Sequence, residues 1–133
     1  MTTAIVLTSA QLSQLARIAK HALPDESCAF LLGDGSQLEV AEVMPMENSD
    51  RSAFSFTIAP DDVLAAYRNA EIRGLHVIAI FHSHPGKPVP SSTDRKFMQL
   101  NPVVWVIYST TENRFEAFQM GDTVEHVRID IRE

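Results

Sequence analysis

The stretch HVIAIFHSHPGKPVPSSTD, residues 76–94, indicates how this chain folds. Residues 76–81 form a near-continuous apolar and β-branched run, which is typical of a central strand buried on both faces of a sheet. The run leads directly into His82, Ser83 and His84, and a loop containing Pro and Gly follows. The stretch therefore predicts a buried central strand that ends in a cluster of polar residues.

The two histidines at the end of this strand are candidate metal ligands. Side chains alternate across a strand, so His82 and His84 point in the same direction. Two imidazoles on one face can ligate one transition-metal ion, and Asp94, which opens the next predicted helix, can add a carboxylate. Two His and one carboxylate with an open position form a catalytic zinc arrangement. Because Cys28 is the only cysteine in the sequence, a closed structural zinc site is disfavoured.

The histidine pattern and Ser91 each leave a second interpretation open. A histidine at a strand end is commonly solvent-facing or hydrogen-bonded, and His-x-His by itself recurs by chance. Ser91, three residues before Asp94, is a good helix N-cap, and so are Ser92 and Thr93. The Ser91 hydroxyl is equally suited to donate a hydrogen bond to a developing oxyanion. The residues alone do not choose between these roles.

Outward from this stretch, the pattern predicts alternating strands and helices. One helix begins after Thr8-Ser9 and closes at Pro24, a second covers residues 61–73 and ends at Gly74, and a short third reaches about Leu100. Strands are predicted at residues 3–7, 27–32, 38–46, 54–58, 76–81, 103–108, 114–120 and 123–131. The second and third of these form a hairpin. The order predicts an α/β (mixed α+β) fold with a central mixed β-sheet flanked by helices.

The composition narrows the class of protein. The length of 133 residues falls in the single-domain range and predicts one domain over residues 1–133. A net charge of −6 and scattered basic residues argue against nucleic-acid binding. No signal peptide or run of ~20 apolar residues is visible, so we expect no membrane association and a cytoplasmic location. A lone Cys28 allows no intrachain disulfide and is interpreted as a buried apolar side chain.

Together with an upstream glutamate, the histidine segment resembles the JAMM motif of the JAB/MPN (Mov34/MPN/PAD-1) metallopeptidase family. That motif has a Glu, then His-x-His-Pro, a short loop and Ser-x-x-Asp. The upstream match is Glu26, within Pro24-Asp25-Glu26-Ser27-Cys28 ahead of an apolar strand. Further resemblance lies at Asn48, Phe54-x-Phe56, Pro60, Arg73-Gly74 and Pro102. The resemblance thus extends over nearly the whole chain.

The loop inside the motif departs from the family pattern. Six residues separate His84 from Ser91, one fewer than the family usually has. Starting the Ser-x-x-Asp motif at Ser92 restores the length but places Arg95 at the acidic position. Asp94 therefore stays the only candidate for the third ligand.

The resemblance implies a fold, a cofactor and roles for five residues. The implied fold is the cytidine-deaminase-like JAB/MPN domain, with Zn²⁺ held by His82, His84 and Asp94. Zinc lowers the pKa of a water ligand from ~15.7 to about 7. Glu26 accepts the proton of this water as general base and passes it to the leaving amine. Ser91 shares the oxyanion charge with the metal.

The implied activity is that of a zinc metallopeptidase, a hydrolase that acts on a protein or peptide. Resemblance to the small stand-alone prokaryotic type implies cleavage of an amide or isopeptide bond next to the C-terminus of a ubiquitin-like or sulfur-carrier protein. The alternative is a catalytically inactive MPN-type scaffold or protein-binding module, although such members typically lack the motif residues. A JAB-like role in nucleic-acid metabolism is a third hypothesis, and the acidic charge argues against it.

Overall fold

The computed structural model describes residues 3–133, in which seven strands and three helices follow one another. The elements are β1 (Ala4–Thr8), α1 (Ser9–Ala22), β2 (Cys28–Gly33), β3 (Glu42–Met46), α2 (Pro60–Ile72), β4 (His76–His84), α3 (Ser92–Leu100), β5 (Val104–Ser109), β6 (Arg114–Met120) and β7 (Val124–Arg132). The three predicted helices are confirmed, and so are most of the predicted strands.

One mixed sheet contains the seven strands, in the order β1-β7-β6-β5-β4-β2-β3. β1 with β7 and β4 with β5 pair in parallel, whereas the other neighbours are antiparallel. β4 lies between β5 and β2, and its residues from Ile78 to Phe81 are buried. This is the environment of a central strand that packs on both faces. The predicted α/β fold with a central mixed sheet is confirmed.

Helices cover both faces of this sheet. Side chains alternate along β4, so Phe81 and Ile80 belong to two different hydrophobic cores. α1 packs on the first face, where Leu15 and Ala19 join the core that contains Phe81. α2 and α3 cover the second face. Their buried residues in that core are Ala66, Ala70 and Met98.

The helix boundaries follow the predicted signals. At the start of α1 the Gln11 N–H donates to Thr8 Oγ1 at 3.0 Å, and the Thr8 N–H donates to Gln11 Oε1 at 2.9 Å. These two bonds form a capping box. α2 ends just before Gly74, whose φ of +72° lies in the region that glycine adopts most readily. Within residues 3–133, no helix is both long enough and apolar enough to cross a membrane.

The strand predicted at residues 54–58 is wrong. The segment lies outside the sheet, and the preceding loop takes the backbone bonds that a neighbouring strand would supply. Asn48 Nδ2 donates to the Ser55 carbonyl at 3.0 Å, and Asn48 Oδ1 accepts from the Thr57 N–H at 3.1 Å. The segment nevertheless buries Phe56 against the second core.

The strand predicted at residues 38–46 is divided between two partners. Only its second half is β3 and pairs with β2 as the predicted hairpin. The first half turns to the free edge of β1 instead, where the Val6 N–H donates to the Leu38 carbonyl at 2.7 Å and the Val40 N–H donates to the Val6 carbonyl at 2.9 Å. The apolar pattern is similar in both halves, so it could not separate the two partners.

Candidate metal centre

The three predicted metal ligands come together where β4 ends and α3 begins. The Nε2 atoms of His82 and His84 lie 2.9 Å apart. Asp94 lies in the first turn of α3, and its Oδ2 is 3.1 Å from each of these nitrogens. His82 is fully buried and Asp94 is 5% exposed, so the three atoms meet in an enclosed space. The six-residue loop is therefore long enough to return Asp94 to the histidines.

This triangle of ligand atoms fits a small divalent ion. The separations of 2.9 and 3.1 Å are close to the ~3.3 Å expected when three ligands surround a tetrahedral ion at ~2.0 Å. Two imidazoles and one carboxylate are ligands that zinc accepts, with a fourth position left open. Glu26, His82 and His84 also bring one ligand atom each to within 4.8 Å of one another.

The electrostatics of the site favour the metal-binding forms of His82 and Asp94 but the protonated form of His84. Burial lowers the pKa of His82, which is therefore neutral. Burial acts to raise the pKa of Asp94, but hydrogen bonds to both histidines outweigh it and hold the pKa well below its usual range. Burial acts to lower the pKa of His84, yet the hydrogen bond and charge of Asp94 raise it overall. Metal ligands must be deprotonated, so His84 is the candidate ligand at which a proton would compete most directly with an ion.

The outer nitrogens of the two imidazoles have different surroundings. His84 Nδ1 donates to the Lys87 carbonyl at 3.3 Å, and this bond orients the ring so that Nε2 faces the other candidate ligands. His82 Nδ1 is buried and has no hydrogen-bond partner among the described residues. Aromatic rings hold this imidazole instead: Phe56 stacks on it at 4.8 Å between centroids, and Trp105 meets it edge-on at 5.7 Å. The sequence carries no local signal for these contacts, because they depend on how distant segments pack.

Ser91 acts as the N-cap of α3. The Asp94 N–H donates to Ser91 Oγ at 3.0 Å, and the Ser91 N–H donates to Asp94 Oδ2 at 2.9 Å, which completes a capping box. Of the two open interpretations of Ser91, the cap is therefore present in the structure. The oxyanion role stays a prediction, because the same hydroxyl keeps its own proton to donate.

Glu26 lies beside the triangle, just before β2. It is 5% exposed, and its Oε2 is 3.8 Å from His84 Nε2. Burial raises the pKa of Glu26 to about 7; the charge of His84 lowers it and the charge of Asp94 raises it. Its second oxygen, Oε1, finds no hydrogen-bond partner within the part of the chain that the structure describes. Glu26 is therefore a buried carboxyl and not a solvated loop side chain.

The backbone of Glu26 is fixed by the loop that follows β3. The Glu26 N–H donates to the Ser52 carbonyl at 2.7 Å, and Asn48 Nδ2 donates to the Glu26 carbonyl at 3.0 Å. Because Asn48 also binds Ser55 and Thr57, one amide side chain joins the glutamate to the segment that carries the stacked aromatic ring. The sequence marked Asn48 only through the family resemblance.

Two cavities adjoin the site. A cleft of about 630 Å³ lies between the end of α1 and residues 46–51, and Glu26 and Ser27 are part of its lining. A smaller pocket of about 220 Å³ lies between α2 and α3 and is lined by Phe56 and Trp105, among other apolar residues. Open space therefore reaches the glutamate from one side, while the pocket backs onto the rings that hold His82.

Cys28 takes no part in this arrangement. It is fully buried in the second core, and burial raises the pKa of its thiol to about 12, with the charge of Glu26 contributing. A thiol that stays protonated is a poor nucleophile and a poor ligand. The interpretation of Cys28 as a buried apolar side chain is confirmed.

Comparison with known sequences shows which family this chain resembles. The family model described as prokaryotic homologs of the JAB domain matches residues 8–121. Over 83 residues the chain is 37% identical to a desampylase of Pyrococcus furiosus. This alignment covers 62% of the chain and 58% of that relative, so it spans little more than half of the relative's length.

Comparison with solved structures gives the same fold. A solution structure from Desulfitobacterium hafniense superposes with a TM-score of 0.85 at 31% identity, covering 97% of this chain and 93% of the other. A second, from Salinibacter ruber, has a TM-score of 0.70 at 28% identity and covers 100% and 92%. A JAB1/MPN domain protein from Archaeoglobus fulgidus, with a TM-score of 0.60 at 20% identity over 98% and 99%, supports the fold alone.

Proposed function

We propose that this chain, which belongs to the family of prokaryotic homologs of the JAB domain, is a zinc-dependent hydrolase of amide or isopeptide bonds. The observation that carries this proposal is the convergence of His82, His84 and Asp94 beside a buried Glu26. Three deprotonatable ligands with an open position and an adjacent carboxyl of raised pKa suit hydrolysis better than a structural role.

His82, His84 and Asp94 would hold the ion. A zinc ion bound there would supply Lewis acidity, which brings the pKa of a water ligand down to about 7. The chain contributes the orientation of its ligands through the Lys87 carbonyl and the stacked Phe56. Ligands fixed in this way lose little freedom when they bind a metal.

Glu26 is the general base of the proposed reaction. Burial raises the pKa of the Glu26 carboxyl to about 7 when no metal is bound, and this carboxylate would accept a proton from water and then deliver it to the departing amine. The unpartnered Oε1 leaves one carboxylate oxygen without a competing donor among residues 3–133.

Ser91 is the proposed donor to the oxyanion. Its oxygen accepts the Asp94 N–H, and the hydroxyl proton stays free to rotate toward a substrate oxygen. Ser91 is exposed, unlike the three ligands around it, so a substrate can reach its hydroxyl. The cap fixes where that hydroxyl lies relative to Asp94.

We propose a ubiquitin-like modifier or sulfur-carrier protein as the substrate, cleaved next to its C-terminus. Support comes from the relative named desampylase, a name that denotes removal of a ubiquitin-like modifier. We further propose that residues 1–133 form one catalytic domain. We also propose that the protein works in the cytoplasm, since Cys28 is a free, buried thiol.

The first experiment is metal analysis of the purified protein beside the variants His84→Ala and His126→Ala. His126 is an exposed histidine on β7 and serves as the matched control. We expect near one zinc per chain in the wild type and in His126→Ala, and none in His84→Ala. The loaded protein should then cleave fusions in which a ubiquitin-like protein ends in Gly-Gly before the scissile bond. Absence of metal from all three proteins after zinc is supplied would support the inactive scaffold instead.

A further inference from the structure

The residue between the two histidines, Ser83, is buried on the face of the sheet opposite the metal ligands. It is 2% exposed, and side-chain alternation directs it away from His82 and His84. Its Oγ accepts the Ser27 N–H at 2.9 Å and lies 2.9 Å from Ser27 Oγ. Ser27, itself 5% exposed, is the residue that follows Glu26. A buried hydroxyl pair thus joins the His-x-His strand to the neighbour of the proposed base.

This contact replaces an ordinary ladder bond. The register of β2 and β4 sets Cys28 against His82, so Ser27 lies opposite Ser83. A hydrogen-bonded antiparallel pair normally exchanges two N–H···O=C bonds. Here the Ser83 N–H donates to the Ser27 carbonyl at 3.1 Å, but the return bond from the Ser27 N–H ends on the Ser83 hydroxyl.

We infer that Ser83 is a positioning residue for the proposed base. Its hydroxyl accepts the Ser27 N–H and thereby fixes the position at which the chain leaves the sheet. Glu26 is the residue immediately before Ser27 and lies opposite His84. The expected effect on catalysis rests on the proposed function. The expected effect on the position of Ser27 rests on the hydrogen bonds alone. Ser83 touches neither substrate nor metal and acts through the placement of Glu26.

Three variants separate this role from simple stabilisation. Ser83→Ala removes the acceptor of the Ser27 N–H, Ser83→Thr keeps a hydroxyl at the same position, and Ser27→Ala removes only the contact between hydroxyls. Val127→Ala is the control, because Val127 is a buried core residue on β7, three strands away from β4. It should lower the melting temperature without reaching the site.

In the zinc-loaded protein, we expect Ser83→Ala to lower kcat by about ten-fold to a hundred-fold, in line with the cost of a misplaced catalytic group. KM and the zinc dissociation constant should stay near wild type, since substrate contacts and ligands are untouched. Ser83→Thr should restore most of kcat, and Ser27→Ala should have the smaller effect. A loss of kcat in Val127→Ala equal to that in Ser83→Ala would overturn the inference, and so would a failure of Ser83→Thr to rescue.

A second measurement does not depend on activity. Amide hydrogen exchange followed by NMR should show a protected Ser27 N–H in the wild type and in Ser83→Thr, and faster exchange in Ser83→Ala. Unchanged protection in Ser83→Ala would contradict the inference even if kcat falls. If the wild type cleaves no substrate, the proposed function fails, whereas the exchange measurement still decides whether Ser83 holds Ser27.

Discussion

Glu26 and His84 oppose each other across β2 and β4, with Glu26 Oε2 3.8 Å from His84 Nε2. Their opposition follows from the register that sets Cys28 against His82, two steps further into the sheet. A slip of one residue would turn all side chains of a strand to the other face. The position of the proposed base relative to His84 therefore depends on the register between β2 and β4.

Loss of the Asp94 charge should abolish tight metal binding. In Asp94→Asn the amide can still occupy the capping position, but it offers a neutral ligand to the ion and a weaker partner to both histidines. We expect zinc affinity to fall by more than about 100-fold, which exceeds the loss of affinity usual when a residue that only hydrogen-bonds to a metal ligand is removed. Competition with a chromophoric chelator measures this. Asp122→Asn, in the exposed turn before β7, is the control, and equal affinities in the two variants would remove Asp94 from the ligand set.

Glu26→Gln should separate metal binding from catalysis. The amide cannot accept a proton, so kcat should fall by about 10²–10⁴, the range for loss of a general base. Zinc content should remain that of the wild type, because His82, His84 and Asp94 are retained. Glu71→Gln, on the exposed face of α2, is the matched control. Wild-type turnover in a zinc-loaded Glu26→Gln protein would show that another group accepts the proton.

Without metal, the stability of the protein should decrease as the pH rises through neutrality. The pKa of Glu26 is raised from 4.5 to about 7 in the folded protein, so the folded state holds this proton more tightly than the unfolded chain. The stabilisation is complete below about pH 4.5 and is lost as the pH rises through about 7, a change of up to about 3 kcal/mol.

Glu26→Gln removes this dependence. In chelator, urea unfolding should show that the variant gains stability relative to the wild type between pH 5 and pH 8. His82, His84 and Asp94 also titrate beside Glu26, so the comparison uses the difference between the two proteins at each pH. Parallel pH profiles for both would mean that Glu26 ionises in the folded protein as readily as in the unfolded chain.

Asn48→Ala should destabilise the loop that holds Glu26. The substitution leaves the carbonyls of Glu26 and Ser55 and the N–H of Thr57 without their partner. Each lost partner of a buried group costs about 1–3 kcal/mol, and the half-exposed setting of Asn48 places the total toward the low end. Urea denaturation measures the change. Asn69→Ala, on the exposed face of α2, should lower the free energy of unfolding far less. Equal decreases in the two variants would show that the Asn48 hydrogen bonds do not stabilise the loop.

The sequence predicts the candidate metal ligands better than it predicts the residues that pack around them. His82 and His84 are close in sequence on one strand, so their shared face follows from strand geometry. Glu26 is far away along the chain, and only the family resemblance placed it there. The contacts of Phe56 and Trp105 with His82 have no local signal, because they form when three separate segments pack together.

The incorrect strand has a similar origin. Residues 54–58 alternate apolar and polar side chains as a strand does, but only Phe56 is buried, whereas Phe54 is 86% exposed. Whether an extended segment joins a sheet depends on a free neighbouring edge, which the sequence does not specify. Asn48 supplied the hydrogen bonds instead. Caps depend on residues three apart and are local, so Thr8 was predicted correctly.

One oxygen atom links the metal ligands to the start of a helix. Asp94 Oδ2 accepts the Ser91 N–H that caps α3 and also lies 3.1 Å from both imidazole nitrogens. An ion bound at the proposed site would share this oxygen with the capping box, so metal binding would be coupled to the stability of the first turn of α3.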